Sequence, residues 1–265
     1  MTSRGLSCLI LADGSFVDAN KIIGAGLDGC VIHDSPTSST VMKIPKFLGT
    51  SMTDGSIKPD DDRNMYMNDL SREKDVYRRL QGVPGIANCL DISENGLVLE
   101  YYSNGNMEEY LQNNSPSTWT QRIEWILQIL DIFIACHDKK VLVFDIALRN
   151  LMLDGDWSPK AIDFGNSSLL PLGGGAELVD EDGYTEEIDI LHVTNIIYSI
   201  CRWKKFQVDC AAADEWPAAD SLPATADLPL GSIIAESWSH QFKTLNELKL
   251  AIASAAPTTV TTIHD

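Results

Sequence analysis

Val143-Phe144-Asp145-Ile146-Ala147-Leu148-Arg149-Asn150-Leu151-Met152-Leu153 sets two hydrogen-bonding side chains, Asp145 and Asn150, five residues apart in a largely apolar frame. Apolar neighbours on both sides imply burial, and a carboxylate or an amide is costly to bury without partners. Eighteen residues after Asp145 comes Asp163-Phe164-Gly165, directly behind the strand-like Lys160-Ala161-Ile162. This stretch decides the fold, because its companions lie upstream in a fixed order.

The first companion is Gly24-Ala25-Gly26-Leu27-Asp28-Gly29-Cys30-Val31, a G-x-G-x-x-G-x-V string. Glycines let backbone N–H groups approach a phosphate with no Cβ in the way. The same glycines could equally make an ordinary hairpin turn. The string lies between two strand-like runs rather than between a strand and a helix, which argues for a flap over a nucleotide and against a dinucleotide fingerprint. Twelve residues after Val31 comes Lys43, in the apolar run Val41-Met42-Lys43. It reads either as an exposed strand lysine or as a phosphate-binding lysine held by a carboxylate. Glu73, on the helical stretch Arg72-Glu73-Lys74-Asp75-Val76-Tyr77, is the candidate carboxylate.

The glycine loop, Lys43, Glu73, Asp145 with Asn150, and Asp163-Phe164-Gly165 stand in the order of the protein kinase family, which the chain resembles over about residues 15–252. The texture of Arg72–Tyr77 and Asp145–Asn150 resembles short single-domain kinases of filamentous fungi. The resemblance implies an α+β, bilobal fold. A small antiparallel-sheet lobe with one main helix would occupy residues 1–102, and a larger helical lobe residues 103–255, with a tail at 256–265. It implies an ATP-dependent phosphotransferase acting on a protein hydroxyl, with ATP and Mg2+ as cofactors. Gly24, Ala25, Gly26, Gly29 and Val31 would cover the nucleotide. Lys43 would hold its phosphates and Glu73 would hold Lys43. Glu100 and Tyr102 would offer backbone groups to adenine behind a Leu99 gatekeeper, and Asn106 would reach the ribose. Asn150 and Asp163 would bind the metal, and Asp145 would orient the acceptor hydroxyl and take its proton. Asp189 would brace the catalytic-loop backbone.

The chain also departs from the family pattern. Val143-Phe144 replaces the usual His-Arg before the catalytic aspartate, which removes the usual partner of a phosphorylated activation loop. Ala147 stands where a lysine is usual, and Arg149 is placed to substitute for it near the γ-phosphate, as in tyrosine kinases. The activation segment is short, with Ala176-Glu177 or Glu186-Glu187 as its end and Ser167, Ser168, Tyr184 and Thr185 as phosphosites by position. A pseudokinase or nucleotide-binding interaction module is therefore one alternative, and a small-molecule kinase another.

Around these motifs, strands are predicted at Leu6–Leu11, Lys21–Gly24, Cys30–His33, Thr40–Ile44 and Gly96–Tyr101, with a polar loop over residues 46–64. Helices are predicted from an Asn68-Asp69 cap to Leu80, at Met107–Leu111, at Thr118–Ala135, over residues 187–203, and as two short pieces in Ile233–Ile252. Residues 211–230 read as loop. The 265 residues carry a formal net charge of -18, which disfavours nucleic acid and anionic membrane surfaces and favours a protein substrate or partner of basic character. The six cysteines form no CxxC pair, so a reducing, cytoplasmic or nuclear compartment with neither disulfides nor zinc is expected. Neither a signal peptide nor a membrane span is expected, and the residues leave oligomeric state open.

Overall fold

The computed structural model describes residues 7–11, 14–26, 29–52, 56–59, 63–175, 177–208 and 216–255. The chain divides into two compact units, Met1–Ser103 with Ile162–Ser167, and Asn104–Ala161 with Ser168–Asp265. Each is described by itself.

The first unit is built on strands β1 (Ser7–Leu9), β2 (Ile22–Ala25), β3 (Gly29–Ile32), β4 (Thr40–Pro45), β5 (Leu48–Ser51), β6 (Ile57–Pro59), β7 (Cys89–Ser93) and β8 (Gly96–Glu100), with helix α1 (Arg63–Arg79) between β6 and β7. Five strands form an antiparallel sheet in the order β2-β3-β4-β8-β7. Its register sets Lys43 opposite both Val31 and Leu97. A second sheet, β1-β5-β6, draws β5 and β6 from the region expected to be a polar loop. Apolar residues decide this: Phe47 is fully buried, Leu48 packs on the core of Leu9, Val17, Cys30, Ile32 and Ile44, and Ile57 pairs across to Ser51. Residues 53–55 and 60–62 of that expected loop lie outside the described residues. Strand β7 was also not marked by the sequence pattern.

Helix α1 starts at Arg63, ahead of the expected Asn68-Asp69 cap. Residues 63–69 hold neither proline nor glycine, so nothing in the chain stops the helix there. Leu70, Glu73, Val76, Tyr77 and Leu80 are buried at helical spacing. Gly96 opens β8 at φ 158°, where an added Cβ would stand 2.1 Å from the Lys43 carbonyl oxygen. Glycine is thus what lets this hairpin close onto the strand that carries Lys43.

The second unit holds α2 (Met107–Asn113), α3 (Trp119–Asp138), β9 (Val141–Leu142), β10 (Leu151–Leu153), β11 (Pro159–Ala161), β12 (Ser168–Leu169), α4 (Glu186–Arg202), α5 (Gly231–Trp238) and α6 (Leu245–Ala255). Asn106 caps α2 by accepting from Glu109 N, and Thr118 caps α3 by accepting from Gln121 N. Helix α3 runs to Asp138 rather than Ala135 and carries the buried His137 in its last turn. Helix α4 is buried on all sides from Ile188 to Cys201, as its apolar run implies. Thr194 and Asn195 are matched inside: Thr194 Oγ1 donates to the Ile190 carbonyl, Asn195 Nδ2 to Val208 O, and Trp238 Nε1 to Asn195 Oδ1. Residues 216–230 form turns, while 209–215 and the tail 256–265 lie outside the described residues.

Asp189 on α4 has no exposure and takes three donors. Val143 N reaches Oδ2 at 2.9 Å, Phe144 N reaches Oδ1 at 2.7 Å, and His137 Nε2 lies 2.8 Å from Oδ2. Burial alone would lower the His137 pKa, but hydrogen bonds and charge from Asp189 and Glu186 lift it from 6.5 to about 9.

Two outcomes follow. Gly96→Ala forces a contact with backbone and is expected to destabilise the fold by about 2 kcal/mol or more, read as a lowered urea midpoint. Because the folded-state pKa of His137 is raised, its stabilisation is complete below 6.5 and is lost as pH rises through about 9. Urea unfolding should therefore show a loss of up to roughly 3 kcal/mol across that window, which His137→Gln flattens. Parallel pH profiles for the two proteins would rule the coupling out.

Candidate active site

In the first unit, β2 and β3 carry the glycine string. Gly26 N donates to Gly29 O at 2.8 Å and closes the turn, while Leu27 and Asp28 lie outside the described residues. Only Gly29 is crowded: a Cβ there would meet Ile44 O at 3.1 Å and Lys43 Cε at 3.3 Å. At Gly24 and Gly26 a Cβ would make ordinary contacts at 3.7 Å, and neither residue has a left-handed backbone. The protein's own packing therefore does not demand glycine at 24 and 26. A bare edge there is suited to a phosphate.

Lys43 points inward from β4 to two carboxylates. Its Nζ lies 2.7 Å from Glu73 Oε2, 2.9 Å from Glu73 Oε1 and 2.6 Å from Asp163 Oδ1. Glu73 Oε1 also accepts from Phe164 N at 3.2 Å, so one buried carboxylate holds both the lysine and the backbone beside Asp163. Burial disfavours the Lys43 ammonium, but Glu73 and Asp163 more than offset it and its pKa is raised. Burial also raises the Glu73 carboxyl, with Lys43 opposing. One ammonium faces two carboxylates, so an excess negative charge stays at Asp163, which is 45% exposed. Asp163 sits at φ 64°, an unusual backbone for a residue with a Cβ. Tyr77, one helical turn past Glu73, packs edge-on against Phe164 at 5.3 Å.

Glu100 N donates to Asn88 O, which leaves Glu100 only its carbonyl to offer a base. Tyr102 is buried, its hydroxyl accepting from Asn88 N at 3.1 Å, and Leu99 is buried beside them in β8.

In the second unit, the backbone that Asp189 grips presents Asp145. Phe144 is held at φ 60°, which turns the chain sharply before Asp145. A one-turn helix, Leu148–Asn150, then brings two side chains back. Arg149 Nη2 donates to Asp145 Oδ1 at 2.6 Å and Oδ2 at 2.8 Å, and Arg149 Nη1 to Gln207 Oε1 at 3.3 Å. Asn150 Nδ2 donates to Asp145 O at 2.9 Å and Oδ2 at 3.1 Å. Arg149, expected near a γ-phosphate, donates to both carboxylate oxygens of Asp145, because the short helix folds it back over that side chain. Asn106 was expected at a ribose, whereas its carbonyl oxygen is engaged as the cap of α2.

The structure thus joins Lys43, Glu73 and Asp163 in one unit and Asp145, Arg149 and Asn150 in the other. Sequence reading missed His137 and Gln207, single polar residues without a pattern of their own. It also missed Tyr77, whose i+4 spacing from Glu73 did carry a signal. Of the expected segment ends, Ala176 lies outside the described residues, while Glu186 begins α4. Among the described residues no three His, Cys, Asp or Glu side chains gather into a metal cage, and no helix is long and apolar enough to cross a membrane.

The protein kinase domain family matches residues 18–208. The L-type lectin-domain containing receptor kinase S.6 of Arabidopsis thaliana is 24% identical over 250 residues, covering 83% of this chain and 33% of that protein. A probable receptor-like protein kinase of the same plant is 32% identical over 135 residues, 43% of this chain and 39% of its own length. A probable receptor-like serine/threonine-protein kinase, also from Arabidopsis thaliana, is 27% identical over 172 residues, 62% of this chain and 38% of its length. The chain spans between 33% and 39% of the length of these relatives. They are plant proteins and lend no support to the narrower likeness to fungal kinases. With a five-stranded antiparallel sheet ahead of a helical unit, and with the kinase-domain match covering most of its length, the chain belongs to the protein kinase family of phosphotransferases.

Proposed function

We propose that this chain transfers the γ-phosphoryl group of Mg-ATP to a protein hydroxyl. The observation that carries this is Lys43 held between Glu73 and Asp163, an ammonium fixed beside a half-exposed carboxylate. The residues present suit both groups: bare glycine edges at 24 and 26 suit phosphates, and the excess carboxylate charge with hard oxygen donors suits magnesium. ATP supplies the phosphoryl group, and Mg2+ supplies charge that offsets the phosphate oxygens. Gly24, Ala25, Gly26, Gly29 and Val31 line the phosphate side, and Lys43 holds phosphate oxygens while Glu73 fixes its position. Asp163 and Asn150 would each offer the metal an oxygen. The Glu100 carbonyl and the Tyr102 backbone meet the adenine.

Asp145 orients the acceptor hydroxyl and takes its proton at a carboxylate oxygen. Arg149 and Asn150 keep that carboxylate in one orientation, and Asp189 holds the backbone that presents it. Phe144 in place of arginine means activity does not wait on a loop phosphate. Names of relatives that include serine/threonine-protein kinase favour those acceptors. The -18 charge favours basic substrates or partners, and free thiols at Cys30, Cys89, Cys136 and Cys201 support a reducing cytoplasmic or nuclear setting.

Radiolabelled ATP with Mg2+ and generic protein substrates tests the reaction. Asp145→Ala should cut transfer by about 10²–10⁴-fold. Asp163→Ala should abolish both transfer and the magnesium-dependent thermal shift with ATP. Equal labelling by wild type and both variants would remove the enzyme reading, and a thermal shift without transfer would favour a nucleotide-binding module. In a matched series, a lysine-rich peptide should have a higher kcat/KM than an acidic one, and the gap should shrink at high salt. A charge-blind series would count against the basic preference.

A further inference from the structure

Asn195 and Ser199 lie one turn apart on α4, and both are buried. Neither favours a helix interior, and each needs a partner there. Both find one in the segment that follows the helix. Trp203 ends α4 in a left-handed conformation at φ 55°, and the chain turns back. Phe206 N then donates to Ser199 Oγ at 3.0 Å, and Asn195 Nδ2 donates to Val208 O at 2.8 Å. The other end of the Asn195 amide is fixed as well, since Oδ1 accepts from Trp238 Nε1 at 3.2 Å. The Phe206 ring packs edge-on against Tyr198 and Trp238, at 5.2 and 5.6 Å. Lys205 Nζ meets Glu108 Oε1 of α2 at 2.7 Å. Residues 205, 206 and 208 are therefore each anchored, and the exposed Gln207 is set among them.

Gln207 Oε1 accepts from Arg149 Nη1 at 3.3 Å. Arg149 reaches Asp145 through one nitrogen, Nη2, which serves both carboxylate oxygens. A guanidinium that grips a carboxylate with two nitrogens has its plane fixed by the pair, whereas one nitrogen leaves the plane able to turn. Gln207 supplies a second point of attachment on the other terminal nitrogen. It is an uncharged acceptor, so it holds the guanidinium without drawing it away from Asp145.

We propose that Gln207 is a positioning residue for phosphoryl transfer: from a segment anchored to the interior of α4, it fixes the Arg149 guanidinium and, through it, the Asp145 carboxylate. The role in transfer rests on the protein kinase reading above, while the contact itself does not. Loss of the Gln207 acceptor leaves Asp145 paired to a guanidinium that turns, so fewer of its orientations suit an acceptor hydroxyl. The effect belongs to kcat rather than to the KM for ATP, because Lys43 and the glycine edges read as holding phosphates belong to the other unit.

In the full chain, Gln207→Met keeps the length of the side chain and removes the acceptor. Transfer to a basic peptide should lose roughly fivefold in kcat, with the KM for ATP unchanged. In an Arg149→Met background the same substitution should cost nothing further, because its effect runs through Arg149. A merely structural role would cost the same factor in both backgrounds. The contact is read without transfer from the 15N signals of the Arg149 guanidinium, identified by their loss in Arg149→Met. Rotation of that group should be faster in Gln207→Met than in wild type, and Gln207→Glu, which restores an acceptor, should slow it again. Unchanged kcat, an equal loss in both backgrounds, or guanidinium rotation indifferent to Gln207→Met would overturn the proposal. Rotation that depends on Gln207 in a chain with no transfer would support the contact while removing the kinase reading.

Discussion

A carboxylate with no exposure can persist only if donors surround it, and Asp189 shows how much geometry that requirement imposes. Its oxygens draw in the N–H groups of Val143 and Phe144 and the ring of His137. To satisfy them the chain accepts a left-handed backbone at Phe144, a conformation that costs on the order of 1–3 kcal/mol for a residue with a side chain. The sharp turn that results is what presents Asp145, and the helical turn Leu148–Asn150 then returns Arg149 and Asn150 to it.

The same principle operates in the first unit. Glu73 lies on the buried stripe of α1, where an unpaired carboxylate would be intolerable. Lys43 answers it from β4, and Phe164 N answers it from the segment that carries Asp163. Gly96 matters to this arrangement through what it lacks, since a Cβ there would collide with the Lys43 carbonyl and displace the strand. Where charge is absent, at Phe144, apolar packing replaces it. Leu142, Leu170 and Leu178 hold the loop by contact rather than by an ion pair.

Much of this was legible beforehand. The long helix at 119–138 and the buried helix at 186–202 announce themselves by periodicity and by an unbroken apolar run. The strands that carry Gly24, Val31 and Lys43 are short and bounded by turn residues. The paired strands β5 and β6 were read as loop because serine, threonine, glycine and lysine dominate them. Their pairing depends on Phe47 and Leu48 finding a core that only the folded unit supplies. The start of α1 was misplaced because Asn68 and Asp69 resemble a cap, yet a helix ignores such residues when the chain before them can also be helical.

The amino-acid sequence by itself determined the order in which Lys43, Glu73, Asp145, Asn150 and Asp163 follow one another, and that order is what resembles the protein kinase motifs. Tertiary structure alone decided their partners. Lys43 meets Glu73 thirty residues away and Asp163 far beyond that, Arg149 turns to Asp145 rather than standing free, and Asn106 is engaged as a cap. The physical reason is that a partner is selected by the need to satisfy a buried charge or an unpaired backbone group. That need exists only once distant segments have excluded water from one another.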